Sequence, residues 1–332
     1  MTNTKVHDNS FAEMISTAAP RAPAMAAAGT AVDLSIVMVT WNALEVTSAA
    51  LESIRKHAVG FGYEVFVIDN GTTNDTTPTA LPLRFPWIRF IPNPDNRGFT
   101  RANNQGIRQA RGRYVVLLNN DTLQTENALR AAVLYLDAHP DVGALGIMHR
   151  NNDPAKSFQP SFFPFPRPAA DVLALWRRPA PAAPPLVQEQ DVDWVCGSFL
   201  MMRRECLDQV GALDERFFIY DEDIDWCLRA RRGGWTIRFW PGASMIHLGA
   251  QADPLMRDKK FVMFRSHVSY LRKNHGRFAA AAFYLAMVLR LHAALIAQLM
   301  RWPLGRGSAA GIAERWFRLW SFLMLRRGKV GG

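Results

Sequence analysis

Over the first 150 positions, apolar residues come in short unbroken runs separated by stretches where they recur every three or four residues. Leu34-Ser-Ile-Val-Met-Val-Thr40, Tyr63-Glu-Val-Phe-Val-Ile-Asp69, Ile88–Ile91, Tyr114-Val-Val-Leu-Leu118 and Val142–Ile147 are too short for helices. Their continuous apolar character predicts strands buried on both faces. Between them the spacing predicts a helix capped by Asn42 and running to about His57, another from about Thr100 to Ala110, and a third over Leu129–His139. Such alternation predicts an α/β fold, a doubly wound and mostly parallel sheet with helices on both faces. In these sheets ligands bind beyond the carboxyl ends of the strands. Asp69, Asn119 and Asp121 all fall there.

The second half is less regular. The stretch from Pro154 to Pro185 holds 9 of the 20 prolines, which predicts an extended surface loop. Strands are expected at Val192–Cys196, Ser198–Met202, Trp235–Trp240 and Ala243–His247, and a helix over Glu222–Arg232 ended by Gly233-Gly234. After His275 the pattern predicts two amphipathic helices. The first is apolar from Phe278 to Met300 apart from Arg290 and His292; the second carries Ile312, Trp316, Leu319, Trp320 and Leu323 at helical spacing. An arginine in mid-bilayer costs about 2.5–3.5 kcal/mol on insertion scales, so the first is expected to lie in the interface or pack on the body rather than span.

Charge sharpens this picture. The net charge is +10, yet Leu255 to Gly332 alone holds 15 Lys/Arg against 2 Asp/Glu. The body is therefore close to neutral and the tail strongly basic. Its basic residues are interleaved with large aliphatics and Trp, which points to an anionic membrane surface and not to nucleic acid. Three cysteines without a CxxC pair argue against a disulfide framework or zinc site and fit a reducing compartment. Residues 1–32 read as a disordered leader without the basic start and apolar run of a secretory signal. The expected organisation is thus leader 1–32, catalytic-type body 33–275 and basic helical tail 276–332. Together these features predict a cytoplasmic protein, peripheral on the inner face of the cell membrane.

Four places carry candidate chemistry. Asp69-Asn70-Gly71 closes a strand, where an acid either contacts a nucleotide or shapes the turn. Asn119-Asn120-Asp121 follows a fully apolar strand, and Asp121 there either caps a following helix or binds a hard cation beside diphosphate oxygens. Phe217-Phe-Ile-Tyr-Asp-Glu-Asp-Ile-Asp-Trp-Cys-Leu-Arg229 puts four acids within five positions amid apolar neighbours. Asp221 can cap the helix, Asp225 can pair with Arg229, and an acid held in apolar surroundings has the raised pKa of a general base. His247 ends a strand and is either structural or the second ligand of a cation held by Asp121.

In order along the chain, Ser35-Ile-Val-Met-Val-Thr-Trp-Asn42, Val67-Ile-Asp-Asn-Gly-Thr-Thr-Asn-Asp75, Asn93 to Gly106, Leu117-Leu-Asn-Asn-Asp-Thr122, Gly197 to Arg229 and Ile246-His247 resemble the family 2 glycosyltransferases, especially their rhamnosyltransferase-like branch. The resemblance covers about Asp33 to His275 and implies the GT-A fold. It implies donor contacts from Thr40, Asn42, Asp69, Asn70, Asn96, Gly98, Asn103, Asn104, Asn119 and Asn120. It further implies Mg2+ or Mn2+ on Asp121 and His247, and Asp223 as catalytic base paired with Glu222. Asn119 stands where the family's DxD-type motif has its first acid, so a cation must lean on Asp121, His247 and the diphosphate. The activity implied is inverting transfer of a sugar, L-rhamnose from dTDP-rhamnose, from a nucleoside-diphosphate donor to a hydroxyl of a cell-envelope glycan or lipid-linked acceptor. A sugar nucleotidyltransferase would want a basic Gly-rich loop after the first strand, which Thr40-Trp-Asn-Ala-Leu44 lacks. A non-catalytic, membrane-docked nucleotide-sugar binding module is the third reading.

Overall fold

The apolar runs pair side by side, because a strand buried on both faces must satisfy its backbone donors and acceptors in a ladder. The computed structural model describes residues 31–177, 187–249 and 259–301, together with Trp316. The leader before residue 31 and the second tail helix, Trp316 apart, lie outside the described residues. The chain runs β1 (Leu34–Thr40), α1 (Leu44–His57), β2 (Tyr63–Asp69), α2 (Thr77–Arg84), β3 (Arg89–Pro92), α3 (Phe99–Gln109), β4 (Tyr114–Leu118), β5 (Thr122–Gln124), α4 (Ala128–Ala138) and β6 (Val142–Arg150). It continues through β7 (Phe158–Gln159), β8 (Phe162–Phe163), α5 (Pro168–Ala174), β9 (Gln190–Asp191), β10 (Trp194–Val195), β11 (Phe199–Arg203) and α6 (Arg204–Val210). It closes with α7 (Glu222–Arg232), β12 (Thr236–His247), α8 (Lys259–Asn274) and α9 (Arg277–Arg301).

The main sheet has the order β3-β2-β1-β4-β11-β6-β12-β5. Strands β3 to β4 are parallel, as are β6 and β12, while β11 runs antiparallel between the two blocks. Thr40 lies opposite Asp69, and Asp69 opposite Pro92, so these strands end along one edge. Side chains alternate across the sheet. Ile36 and Met38 pack with Leu51 and Ile54 of α1 and Leu129 and Val133 of α4; Val37 faces the other way, toward Ala102 and Ile107 of α3 and Trp226 of α7. A third cluster joins Phe217 and Ile224 to Phe264, Tyr270 and Leu271 of α8 and Phe283 of α9.

The structure departs from the sequence-based expectations in several places. Asn42 does not cap α1: its φ is +50°, and its side-chain oxygen accepts the N–H groups of Thr73 and Asn74 at 2.9 and 3.0 Å. Asp75 satisfies the start of α1 instead, its carboxylate accepting the N–H of Leu44 at 3.1 Å and, on α2, that of Thr77 at 2.8 Å. An acid from another loop suits two helix N-termini at once, and local pattern gives no sign of it. α2 carries prolines at 78 and 82, which disguise it as loop, although a first-turn proline gives up no needed donor. β5 follows Asp121 directly, so Asp121 caps no helix. The proline-rich stretch is not all loop: its two short strands bring Phe162 within 4.3 Å of Phe239, ring centre to ring centre. Trp235–Trp240 and Ala243–His247 are one strand with an irregular register between Trp240 and Ser244. Helix α8 begins well before His275.

Helix α9 is long and apolar enough to cross a membrane by length and composition. One face packs on the body through Ala280, Phe283 and Leu295. The other leaves Phe278, Leu285, Leu289, Ile296 and Met300 exposed, Phe278 at 78%. These positions recur at intervals of seven and four residues, two turns and one turn of helix, so they form one stripe.

The turn after β2 supplies a test. Gly71 has φ +80°, and a Cβ there would stand 2.4 Å from the carbonyl carbon of Asp95. Gly71→Ala is therefore expected to destabilise the protein by more than about 1 kcal/mol, read as a lower urea midpoint. An unchanged midpoint would mean that the turn relaxes freely.

Candidate active site

Every candidate group sits at or beyond the edge where β1, β2 and β4 end. Asp69 is 1% exposed, with its carboxylate folded back on the hydroxyl and N–H of Thr72. Burial raises its pKa, opposed by those two hydrogen bonds. Asn70 donates to Asn96 Oδ1 at 2.9 Å and accepts the N–H of Arg97 at 3.1 Å; Asn96 Oδ1 also accepts the N–H of Gly98 at 3.0 Å. Gly98 has φ +86°, and a Cβ would meet Phe218 at 2.7 Å. The 96–98 turn and the acid-rich block are thus in direct contact.

Four residues expected to touch a donor make hydrogen bonds within the protein. The Thr40 hydroxyl shares a hydrogen bond with Thr47 at 2.7 Å, and Asn120 donates to Thr47 at 2.9 Å, which ties β1, α1 and the end of β4. Asn104 donates to the Leu213 carbonyl at 2.9 Å and accepts its N–H at 3.1 Å. Asn103 donates to Phe99 within its own helix at 2.9 Å. Thr40, Asn103 and Asn104 are buried.

Asp121 and His247, 126 residues apart in sequence by their numbering, meet at 3.3 Å between Oδ1 and Nε2. The pairing of β5 with β12, His247 opposite Thr122, brings them together. His247 Nδ1 lies 2.7 Å from Oε1 of Gln159. With Gln159 so oriented, that oxygen accepts, Nδ1 carries the proton, and Nε2 presents a lone pair to Asp121. Asp121 Oδ1 is buried and has no hydrogen-bond partner. A lone pair facing an orphaned carboxylate oxygen needs either a second proton on the ring or a cation between them. Adjacent ligands of an octahedral Mg2+ or Mn2+ ion stand about 3 Å apart, so the pair fits such an ion. Among the described residues no third His, Cys, Asp or Glu joins them, which leaves coordination positions for water or diphosphate oxygens.

The Gly197-Ser198 dipeptide connects this pair to the acids of α7. The N–H of Gly197 donates to Asp223 Oδ2 at 2.9 Å, and the Ser198 carbonyl accepts the N–H of Asn119 at 3.1 Å. His149 Nδ1 donates to the Ile147 carbonyl at 3.0 Å, so its Nε2 accepts from the Ser198 hydroxyl at 2.9 Å. Burial pushes His149 down to about 3, which keeps it neutral; its ring meets that of His247 edge-on at 5.7 Å.

Three neighbouring acids are differentiated by their surroundings. Asp221, in the left-handed region at φ +65°, makes no side-chain cap bond to α7, contrary to expectation, and faces His267. Glu222 is buried, its Oε2 has no partner, and burial plus the charge of Asp223 raise its pKa well above the usual range. Asp223 is partly exposed and is pushed up to about 6 by burial, against the N–H groups of Gly197 and Ile224. Asp225 is fully buried and pairs with Arg229 at 3.0 Å, as the i,i+4 spacing predicts. Sequence reasoning missed Gln159, His149, Ser198 and His267. Of these only His149, at the end of a strand, carried a local signal.

The family model described as Glycosyl transferase family 2 matches residues 35–211. The chain is 30% identical over 242 residues to N-acetylglucosaminyl-diphospho-decaprenol L-rhamnosyltransferase of Mycobacterium tuberculosis, spanning 64% of this chain and 75% of that protein. It is 27% identical over 162 residues to the rhamnosyltransferase WbbL of Escherichia coli (strain K12), spanning 45% of this chain and 60% of that one. Among solved structures, a mannosyltransferase from Pyrobaculum calidifontis in complex with GDP-Man and Mn2+ superposes with a TM-score of 0.52 at 18% identity, covering 94% of this chain and 85% of that chain. GalNAc-T7 with UDP, GalNAc and Mn2+ gives 0.53 at 14% identity over 73% of this chain and 48% of that one. These likenesses agree with a GT-A fold.

Proposed function

The chain belongs to the family 2 glycosyltransferases, and on that footing we propose that it is an inverting, metal-dependent transferase of L-rhamnose from dTDP-rhamnose to a lipid-linked or cell-envelope glycan acceptor. The observation that supports the catalytic part is the contact chain from Asp223 through Gly197-Ser198 to Asn119 and His149, which links the proposed base to residues neighbouring the Asp121–His247 pair. The names of the Mycobacterium tuberculosis and Escherichia coli relatives support rhamnose as the sugar.

In this reading the nucleoside rests on the loop built by Asn42 and Asp69–Thr72, with Asn70 and Asn96 fixing the adjoining turn. Asp121 and His247 would hold Mg2+ or Mn2+, which when bound supplies Lewis-acid and charge-neutralising chemistry at the diphosphate. Gln159 keeps the His247 proton on Nδ1 so that Nε2 stays a ligand. Asp223 accepts the proton of the acceptor hydroxyl. The freed oxygen forms a bond to the anomeric carbon from the face opposite the diphosphate, whose C–O bond breaks, and the configuration inverts. Glu222, held neutral by burial, spares the site a second full negative charge beside Asp223.

A base with its pKa raised to about 6 holds a proton, and cannot accept another, below that pH. Turnover is therefore expected to fall about tenfold per pH unit on the acid side of 6. Asp223→Asn should remove about 100-fold or more of kcat while dTDP still binds, measured as release of nucleoside diphosphate. Full turnover by that variant would sink the assignment of the base.

The metal reading has a separate check. Asp121→Ala, His247→Ala and, acting through the tautomer, Gln159→Leu are each expected to weaken Mn2+ binding about tenfold or more in calorimetric titrations with dTDP present. Wild-type affinity in the first two would remove the pair from the metal site.

For the acceptor side, we propose that the exposed stripe of α9 lies on an anionic membrane surface, where Arg290 stands among exposed aliphatics. Full-length protein should co-float with vesicles containing anionic lipid, and a Leu285→Glu, Leu289→Glu double variant should not. Undiminished flotation by that variant counts against the stripe as the membrane face.

A further inference from the structure

The direction of Asp223 follows from the backbone turn that precedes it, which α7 holds through the N–H of Asp225 on the Asp221 carbonyl at 2.9 Å. Tyr220 and Asp221 are consecutive non-glycine residues with φ of +71° and +65°, a region that β-carbons disfavour. The side chain of Asp221 contributes no cap bond to hold them there. Helix α8 adds side-chain bonds of its own. Ser266, itself buried, donates its hydroxyl to the Ile219 carbonyl at 2.6 Å. Next to it, His267 Nδ1 stands 3.3 Å from Asp221 Oδ2, and His267 Nε2 stands 3.5 Å from Asp171 Oδ2 on α5. The imidazole is fixed from the side by Tyr270 and by Phe283 of α9, whose ring centres lie 6.1 and 4.8 Å away.

The groups facing His267 decide its charge. Burial disfavours the imidazolium, but hydrogen bonding and charge from Asp221 and Asp171 outweigh burial and raise its pKa; Tyr270 and His275 are the other titratable groups nearby. The site is thus an imidazole between two carboxylates from different elements. Docking of α8 onto α7 does not need it. The fully buried Asp225 already receives Lys273 at 2.7 Å and Asn274 at 3.1 Å from α8, as well as Arg229 from its own helix. Two contact sets between the same helices therefore divide the work. The Asp225 set fastens α8 to the body, and the Ser266–His267 set grips the strained turn two residues before the base.

We propose that Ser266 and His267 are positioning residues for catalysis: braced by Asp171, His267 holds Asp221 and with it the 219–221 turn, so that the Asp223 carboxylate keeps its hydrogen bond to Gly197 and faces the acceptor. The inference rests on Asp223 being the base. It gives the C-terminal helices a role in turnover beyond any part in docking, because the helix that carries the clamp is packed against α9.

The test compares full-length His267→Ala, His267→Asn, His267→Gln and Ser266→Ala. An Asn amide nitrogen falls near the imidazole Nδ1 and keeps the donor to Asp221, whereas Gln reaches toward Asp171 and leaves Asp221 unpaired. His267→Ala should lower kcat about tenfold with the donor KM changed less than about twofold, the signature of lost aim and not of lost binding. Its acid limb should move to higher pH, since Asp223 would lose the N–H groups that hold its pKa down. His267→Asn should restore most of kcat and the position of that limb, His267→Gln should restore neither, and Ser266→Ala should fall between. The proposal is overturned if Asn is as slow as Ala, if all four variants match wild type, or if kcat falls with the acid limb unmoved and the thermal midpoint lowered in step. Asp223→Asn assayed in parallel separates the two ideas. Retained turnover there removes the base and this clamp together, while a dead Asp223→Asn beside a silent His267 series removes only the clamp.

Discussion

The antiparallel placement of β11 is the constraint on which the rest depends. Wedged between β4 and β6, with Phe199 opposite Leu118 and Met201 opposite Leu145, it starts where β4 finishes and beside the later part of β6. A parallel strand in the same slot would begin at the opposite edge. Because β11 runs backwards, Gly197-Ser198 lands beside Asn119 and His149, and its backbone reaches Asp223 as well. A Cβ at position 197 would meet Asp223 at an ordinary contact distance of 3.5 Å, so this approach does not require glycine. One strand direction thereby gathers the end of β4, the end of β6 and the start of α7 at a single place.

The electrostatics of that place follow from unequal solvation. Asp221, Glu222 and Asp223 are consecutive, yet their partners differ: an imidazole for Asp221, its own backbone N–H for Glu222 with Oε2 left orphaned, and the N–H groups of Gly197 and Ile224 for Asp223. Like charges this close in a poorly hydrated site disfavour one another's ionisation, and the rise is greatest for the acid that is most buried and least compensated. Glu222 is that acid. Asp223 remains the one with both raised basicity and exposure, a combination that suits proton abstraction near neutral pH.

The C-terminal helices are joined to this chemistry by packing. Phe217 and Ile224, on either side of the acids, sit in one cluster with Phe264, Leu271 and Phe283. α9 buries one stripe there and exposes another. A surface that docks through the exposed stripe would therefore be two contacts away from the turn that precedes Asp223. Arg290 and His292 lie among the exposed apolar residues, where a charged group is cheaper at a polar interface than inside a bilayer.

Sequence alone determined whatever depends on local periodicity and on short ordered motifs. Buried strands need continuous apolar runs, so β1, β2, β4 and β6 could be read directly, and Glu222–Arg232 declared itself by its spacing and its Gly-Gly stop. The candidates Asp121, His247, Glu222 and Asp223 were legible for the same reason, as polar groups out of place beside apolar strands. What remained hidden depends on partners far apart in the chain. Asp75 at the start of α1, Gln159 behind His247, Asn104 clasping Leu213 and His267 gripping Asp221 carry no pattern of their own. A hydrogen bond is fixed by distances of a few ångströms in space, and no periodicity along the chain encodes which residue will complete it. Tertiary structure therefore decided which polar residues face the cleft and which are consumed in building it.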